Sequence, residues 1–299
     1  MILVTGANGQ LGQCFQKVAA QHPQIRFVFK SASELDITQL KSLKQTIAPL
    51  ASGTEPLWVV NCAAYTAVDK AESEPANADK VNRLGVKKLA QICAQYQLPL
   101  IHFSTDYVYH SKNNLPFRET DPVHPKGVYA RTKLAGERAA LQYHPNLTMV
   151  IRTSWVYSEF GHNFVKTMLR LGAERPNLKV VVDQIGSPTY APDLAQSVLQ
   201  IYQQVVEGKV PQQSLAGIWH FANEGVASWY DLACAVFEYQ KMSCKVVPIS
   251  SSEYPTPAQR PPFSVLDKRK IKSVFGLHIP YWRESLKECL KEIGLTPKH

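Results

Sequence analysis

The sequence predicts an α/β fold built on a doubly wound parallel sheet. Two observations carry that expectation. Short, continuously apolar runs alternate with amphipathic stretches as far as Ile151, and a glycine-rich turn, Thr5-Gly-Ala-Asn-Gly-Gln-Leu-Gly12, stands between the first run and the first amphipathic stretch. Strand and helix alternating at this spacing imply parallel strands joined by helical crossovers. Runs with no polar alternation imply strands buried on both faces.

The elements follow in order. Ile2-Leu3-Val4 is the first strand, leading through the glycine turn into a helix near 11–21. Phe27–Phe29 precedes a helix near 38–48, Leu57–Val60 one near 76–96, and Leu100–Phe103 one near 129–142; Met149–Ile151 is the fifth strand. Beyond residue 155 the pattern is less regular. Helices are expected near 162–174, 191–207, 228–240 and 282–293, with β runs at 178–182, 217–221 and 245–249. Tyr254–Pro262 holds four prolines and must be an extended loop. The expected organisation is a dinucleotide-binding (Rossmann) domain over 1–155, with sheet elements contributed from later segments, and a smaller C-terminal lobe over 156–299 that covers the carboxyl edge of the sheet and binds substrate.

Composition narrows the class. The net charge of +9 favours an anionic partner. The basic residues are dispersed and do not alternate with aromatics, which argues against nucleic acid and for a phosphorylated small molecule. No apolar run approaches the roughly eighteen residues of a transmembrane helix, and the N-terminus has neither the basic flank nor the cleavage site of a signal peptide. Six cysteines without a CxxC pair read as buried hydrophobes of a reducing, cytoplasmic compartment. Nine histidines without an HExxH or His/Cys cluster give no metal site.

Gly6, Gly9 and Gly12 carry the first chemistry. The first permits a tight turn, the second lets the backbone approach a pyrophosphate, and the third lets the helix pack on the strand, while the helix N-terminus stabilises the anion. Asn8, Gln10 and Leu11 complete this candidate cofactor loop. An acid at the end of the second strand would bind the adenosine ribose and favour NAD. Here Lys30-Ser31-Ala32-Ser33 follows Phe29, and a lysine and two hydroxyls suit a 2′-phosphate. The expected cofactor is NADPH, with NADH possible; the plain alternative is a solvated Lys30.

Ser104-Thr105-Asp106-Tyr107 follows the fourth strand, where such sheets place their ligands. Residues 127–133 then read Gly-Val-Tyr-Ala-Arg-Thr-Lys. With 13 tyrosines in the chain, a Tyr-x-x-x-Lys pair arises by chance about once, and two neighbours on an exposed helix face are the ordinary explanation. The order of parts, phosphate loop, hydroxyl and then Tyr-x-x-x-Lys, favours chemistry. Hydride addition to a ketone leaves negative charge on oxygen that must be protonated. A phenol titrates near pH 10; an ammonium four residues along a helix points the same way and would make Tyr129 a better acid. Thr105 would hold the carbonyl oxygen against Tyr129, and Lys133 would also reach the nicotinamide ribose.

Nine segments carry a further likeness: TGANGQLG, LDIT at 35–38, NCAAYTAVDKAE at 61–72, STDYVY at 104–109, YARTK, RTSWVY at 152–157, GHNFVKTML at 161–169, DQIGSPTYAPDLA at 183–195 and RPPFSVLD at 260–267. On these, across nearly the whole chain, the sequence resembles the extended short-chain dehydrogenase/reductases and, among them, the family of dTDP-4-dehydrorhamnose reductases. The resemblance implies a catalytic triad of Thr105, Tyr129 and Lys133. It implies Asp36 and Ile37 near the adenine, and Ala63, Ala64 and Tyr65 along the cofactor. Thr66, Val68, Asp106, Trp155 and Asn163 would approach a sugar nucleotide in the second lobe, with Arg260 at its diphosphate. The implied reaction converts dTDP-4-dehydro-L-rhamnose to dTDP-L-rhamnose, a precursor for lipopolysaccharide or cell-wall polysaccharide. Trp155 has core packing as its alternative, Arg260 solvation and Asn163 a helix cap.

Some positions depart from the family pattern. Ala130 and Ser158 stand where glycines are usual. Cys14 stands where some members have a glutamate in a magnesium-bridged dimer, so neither that metal nor that dimer is expected and the oligomeric state is open. A 4,6-dehydratase would need a second carboxylate where Tyr107 stands. A 4-keto reductase for a different dTDP-deoxysugar and a non-catalytic regulatory subunit of the same fold remain as alternatives.

Overall fold

The computed structural model describes residues 1–111 and 114–294. β1 (Ile2–Thr5) feeds α1 (Gln10–Ala20); β2 (Phe27–Lys30), α2 (Leu40–Ala51) and β3 (Trp58–Asn61) follow. The next crossover is built in pieces: α3 (Val68–Ser73), α4 (Pro75–Asp79), a π-helical turn at Lys80–Gly85 and α5 (Val86–Gln95). Pro75 opens α4, where its missing N–H costs nothing. β4 (Leu100–Thr105), α6 (Val128–Tyr143) and β5 (Thr148–Thr153) complete the first half. The five apolar runs are all strands; β1, β3, β4 and β5 are buried throughout, while β2, at the edge of the sheet, is half-buried.

The second half runs β6 (Val156–Tyr157), α7 (Phe164–Glu174), β7 (Asn177–Val181), β8 (Ile185–Gly186), β9 (Thr189–Tyr190), α8 (Ala191–Val206), β10 (Gly217–His220), β11 (Ala227–Ser228), α9 (Trp229–Tyr239), β12 (Lys245–Ile249), α10 (Arg269–Phe275) and α11 (Trp282–Glu292). α9 starts on a capping box, in which Ser228 accepts from Asp231 N while Asp231 accepts from Ser228 N.

Six strands form one parallel sheet in the order β10-β5-β4-β3-β1-β2. β2 lies on one side of β1 and β3 on the other, so the winding reverses at the carboxyl ends of β1 and β3. That crevice is where ligands bind in such sheets. α2 and α5 cover one face through Leu43, Ile47, Val86, Leu89 and Ile92. The other face is covered by Phe15 and Val18 of α1 and by Leu194, Val198, Leu199, Ile201 and Tyr202 of α8, with Ile271 and Phe275 of α10. Residues beyond 155 thus supply both an edge strand, β10, and helices of the sheet layer. α8 and α10 join that layer because their apolar faces match the exposed side of the sheet. A separate core, with Val165 and Met168 of α7, Leu178 and Val180 of β7, Leu232 and Val236 of α9 and Leu286 and Leu290 of α11, forms the second lobe. No described helix is long and apolar enough to cross a membrane.

Candidate active site

The glycine loop lies in the crevice. Gly6 has φ +64°, and a Cβ there would come within 2.7 Å of Ala63 N on the segment after β3. A Cβ on Gly12 would come within 2.5 Å of the Gly6 carbonyl oxygen. These approaches exclude larger residues and leave a cradle of backbone. α1 begins at Gly9 with no side-chain cap and no acid in its first turn, so its N-terminal dipole faces the crevice unopposed. The loop therefore fits a pyrophosphate. Asn8 and Gly9 are exposed at its tip, and Leu11 packs against the sheet core. The Gln10 side chain does other work: its Nε2 donates to Val156 O at 3.1 Å and its Oε1 accepts from Asn163 Nδ2 at 2.9 Å, tying the loop to the second lobe.

At the end of β2 the structure adds a residue the sequence reading missed. Glu34 Oε2 accepts from Ser31 N at 2.9 Å and from Ser31 Oγ at 2.7 Å, and Lys30 Nζ lies 3.6 Å from Glu34 Oε1. The Ser-x-x-Glu spacing of a capping box was the available signal. Asp36 accepts from Thr38 N at 2.8 Å, and Ile37 is buried in the core against Gly85. Ala63 sits against Gly6. Tyr65 is clasped by Asn82 through both its N–H and its carbonyl, and its phenol donates to Glu74 at 3.0 Å.

The catalytic candidates converge. Thr105 ends β4, is buried, accepts from Tyr107 N at 3.2 Å and lies 3.1 Å from Asp106 Oδ1. Tyr129 stands half-buried in the first turn of α6, its phenol beside the Thr105 hydroxyl and its ring edge-on to Tyr107 with centroids 6.2 Å apart. Desolvation pushes the phenol up to about 12; the neighbouring Thr105 hydroxyl opposes that rise and Asp106 adds to it. Lys133 Nζ donates to the Phe103 carbonyl at 2.6 Å, and burial brings the ammonium down to about 8 against the pull of Glu137 and Cys62. The expected acidification of Tyr129 by Lys133 is thus absent from the resting site: desolvation outweighs it, and the ammonium is turned to a carbonyl.

Behind Lys133, Glu137 and Arg152 form a buried bidentate pair with Nη2–Oε2 at 2.6 Å. Ser104 donates to Glu137, and Arg152 Nη1 donates to Tyr109 Oη at 2.6 Å. With these bonds in place the buried charges are compensated. At the start of α6, Glu72 Oε1 accepts from Val128 N at 2.7 Å, next to Tyr129.

A cavity of about 730 Å³ opens beside Tyr107 into the second lobe, with Phe164, Gln184, Trp229, Tyr254 and Arg260 in its wall. Arg260 is paired with Asp69 through contacts of 3.1 and 2.7 Å. Trp155, at the left-handed φ of +48°, stacks on Trp229 with centroids 3.6 Å apart. Asn163 caps α7, accepting from Lys166 N at 3.1 Å, so its helix-cap alternative is the contact observed. Thr66 is exposed and Val68 half-buried at the start of α3, and Asp106 is buried beside Thr105. Trp229, Asp69 and Glu72 were not anticipated; Asp69 and Glu72 lie in the segment 61–72 that carries part of the family likeness, but their partners are met only through tertiary contact.

Comparisons with known proteins agree with this geometry. Residues 1–295 match the family model described as the RmlD substrate binding domain. The chain is 41% identical over 301 residues to dTDP-4-dehydrorhamnose reductase of Sinorhizobium fredii (strain NBRC 101917 / NGR234), covering 99% of each. It is 40% identical over 293 residues to the protein of that name from Aggregatibacter actinomycetemcomitans, covering 96% of this chain and 97% of the relative. The crystal structure of dTDP-4-dehydrorhamnose reductase from Bacillus anthracis in complex with NADP superposes with a TM-score of 0.89 at 34% identity, covering 97% of this chain and 98% of that one.

Proposed function

Because this chain belongs to the family of dTDP-4-dehydrorhamnose reductases, we propose that it reduces the 4-keto group of dTDP-4-dehydro-L-rhamnose with NADPH, yielding dTDP-L-rhamnose. The observation that carries this reading is the Tyr129 phenol, half-buried beside the Thr105 hydroxyl at the carboxyl end of β4 and next to the second-lobe cavity. NADPH supplies hydride when bound. The glycine loop and the N-terminus of α1 hold its pyrophosphate, and Lys133 has ammonium protons beyond the one given to Phe103 for a ribose hydroxyl. Tyr129 gives its phenolic proton to the oxygen of the reduced ketone. Thr105 orients that phenol, and burial keeps it protonated until the oxygen develops charge.

The cavity takes the nucleotide part of the substrate. Trp229, backed by Trp155, offers an aromatic face, and Arg260 offers a guanidinium suited to a diphosphate once it is drawn from Asp69. On this reading residues 1–155 with α8, β10 and α10 bind the cofactor, and the remainder binds the sugar nucleotide. A cytoplasmic setting suits the six unpaired cysteines.

The test is NADPH oxidation with dTDP-4-dehydrorhamnose generated in situ, comparing wild type with Tyr129→Phe. Turnover by wild type and a loss of at least about a hundredfold in the variant are expected for a positioned general acid. Undiminished turnover by the variant removes Tyr129 from the mechanism. Wild-type turnover of another 4-keto sugar alone reassigns the substrate, and none with any such sugar returns the chain to the regulatory alternative.

A further inference from the structure

We propose that Glu137, gripped by Ser104 and Arg152, is a positioning residue: it fixes α6 against the sheet so that the Tyr129 phenol and the Lys133 ammonium meet Thr105. This deepens the reductase reading and rests on it.

Three side chains stand in file on α6. Tyr129, Lys133 and Glu137 recur every four residues, a spacing that puts them on one face of a helix. Glu137 is 1% exposed. Its carboxylate accepts from Ser104 Oγ, from Arg152 Nε at 3.0 Å and from Arg152 Nη2 at 2.6 Å. Ser104 and Arg152 are register partners across β4 and β5, and His220 of β10 is the next partner in the same row. The other end of Arg152 is held too. Its Nη1 donates to Tyr109 Oη at 2.6 Å, and that phenol lies 2.9 Å from the Arg118 carbonyl oxygen and 2.8 Å from His220 Nε2. A polar row across three strands thus ends on one helical carboxylate.

The row adjoins the catalytic candidates. Thr105 follows Ser104 on β4, while Phe103 precedes it and accepts from Lys133 Nζ at 2.6 Å. β4 and α6 are therefore joined at two points, Phe103 to Lys133 and Ser104 to Glu137. A slide or turn of α6 that breaks the second bond carries the phenol and the ammonium with it. Apolar packing resists such a slide weakly. The buried apolar residues of α6 are Ala130, Leu134, Ala139 and Ala140, with Gly136 among them, and a Cβ on Gly136 would strike the Asn82 carbonyl. Short side chains bring a helix close but leave shallow ridges.

Stability alone does not call for the pair. Well-packed apolar residues of similar size commonly replace a buried ion pair at little or no loss. They do not supply direction. A bidentate guanidinium–carboxylate pair fixes the orientation of both partners, and reacting groups must be held to within about 0.5 Å.

The double variant Glu137→Leu/Arg152→Met separates positioning from support of the fold, since it removes both charges and leaves apolar chains of similar length. It is expected to unfold in urea close to the wild-type midpoint. Its kcat should fall about thirtyfold with KM for the sugar nucleotide changed less than about threefold, because a misplacement of about 1 Å costs about a hundredfold. Ser104→Ala keeps both charges and guards against a double variant that does not fold. Its kcat should fall about fivefold, the worth of one hydrogen bond to a charged group, and Ser104→Thr, which returns the hydroxyl, should recover most of that loss. Wild-type kcat in the folded double variant, or in Ser104→Ala, overturns the proposal.

A second measurement needs no turnover. In crystal structures of the two variants, Tyr129 and Lys133 should stand about 1 Å from their wild-type places relative to Thr105. Superposable side chains overturn the inference. Were wild type to reduce no sugar nucleotide, the reductase reading would fall, and this comparison would still decide whether Glu137 fixes α6.

Discussion

Glu34 sets a limit on how well Lys30 serves a 2′-phosphate. Its carboxylate holds Ser31 by two hydrogen bonds and stands 3.6 Å from the Lys30 ammonium, so a phosphate arriving there meets a negative charge already in place. The side chain is about half exposed, so solvent screens the repulsion and keeps it near the weak, aqueous end of the scale. Glu34→Gln should therefore raise kcat/KM for NADPH relative to NADH by about fivefold. The ratio of the two cofactors' kcat/KM values measures it; an unchanged ratio means that Glu34 swings clear whenever cofactor binds. Bond types at single residues were legible in the sequence, since Lys30, Thr105, Tyr129 and Lys133 declare what they can donate. Protonation states were not. The Tyr129 phenol lies high at about 12 and Lys133 low at about 8 because of burial, which depends on every element packed around them.

α6 carries the acid but does not hold its own beginning. Its N-cap, Gly127, makes no side-chain cap, and the acceptor for Val128 N comes from Glu72 of α3, 56 residues earlier in the chain. A carboxylate there also complements the positive end of the helix. Since Tyr129 is the next residue, loss of this contact loosens the phenol. Glu72→Ala is expected to cost about 1 kcal/mol of stability and to lower kcat about tenfold through misplacement of the acid, with KM for NADPH little changed. Glu72→Gln keeps an acceptor and should fall between. Steady-state kinetics with urea unfolding distinguish these outcomes; a fall in stability with kcat intact would limit Glu72 to holding the fold. α3 also carries Asp69, which grips Arg260 191 residues away. The helices themselves were legible from periodicity. Their mutual grips were not, because nothing in the spacing of Glu72 or Asp69 points to partners so distant in sequence.

After residue 155 the chain returns twice to the sheet core, at α8–β10 and at α10, so a cut there does not separate the two cores. Leu194, Val198, Leu199 and Ile201 of α8 are buried on the sheet that residues 1–155 form, and β10 covers the edge of β5. Burying four such side chains contributes about 6–12 kcal/mol, comparable to the whole stability of an ordinary domain at about 5–15 kcal/mol. Removing them also leaves an apolar face and an open strand edge, the usual start of aggregation. The first half reads as a dinucleotide-binding unit in sequence because its strands and loops are local; its lower layer arrives later in the chain, where an amphipathic helix carries no mark of which core it will join. A fragment of residues 1–155 should accordingly lack a cooperative urea transition and near-ultraviolet circular dichroism, and should bind no NADPH. Extending it with 191–221 and 267–280, which restore α8, β10 and α10, should recover part of the transition. A fragment of 1–155 that unfolds cooperatively and binds cofactor would show that α1 and the strands suffice, and that α8 serves only the contact between the two lobes.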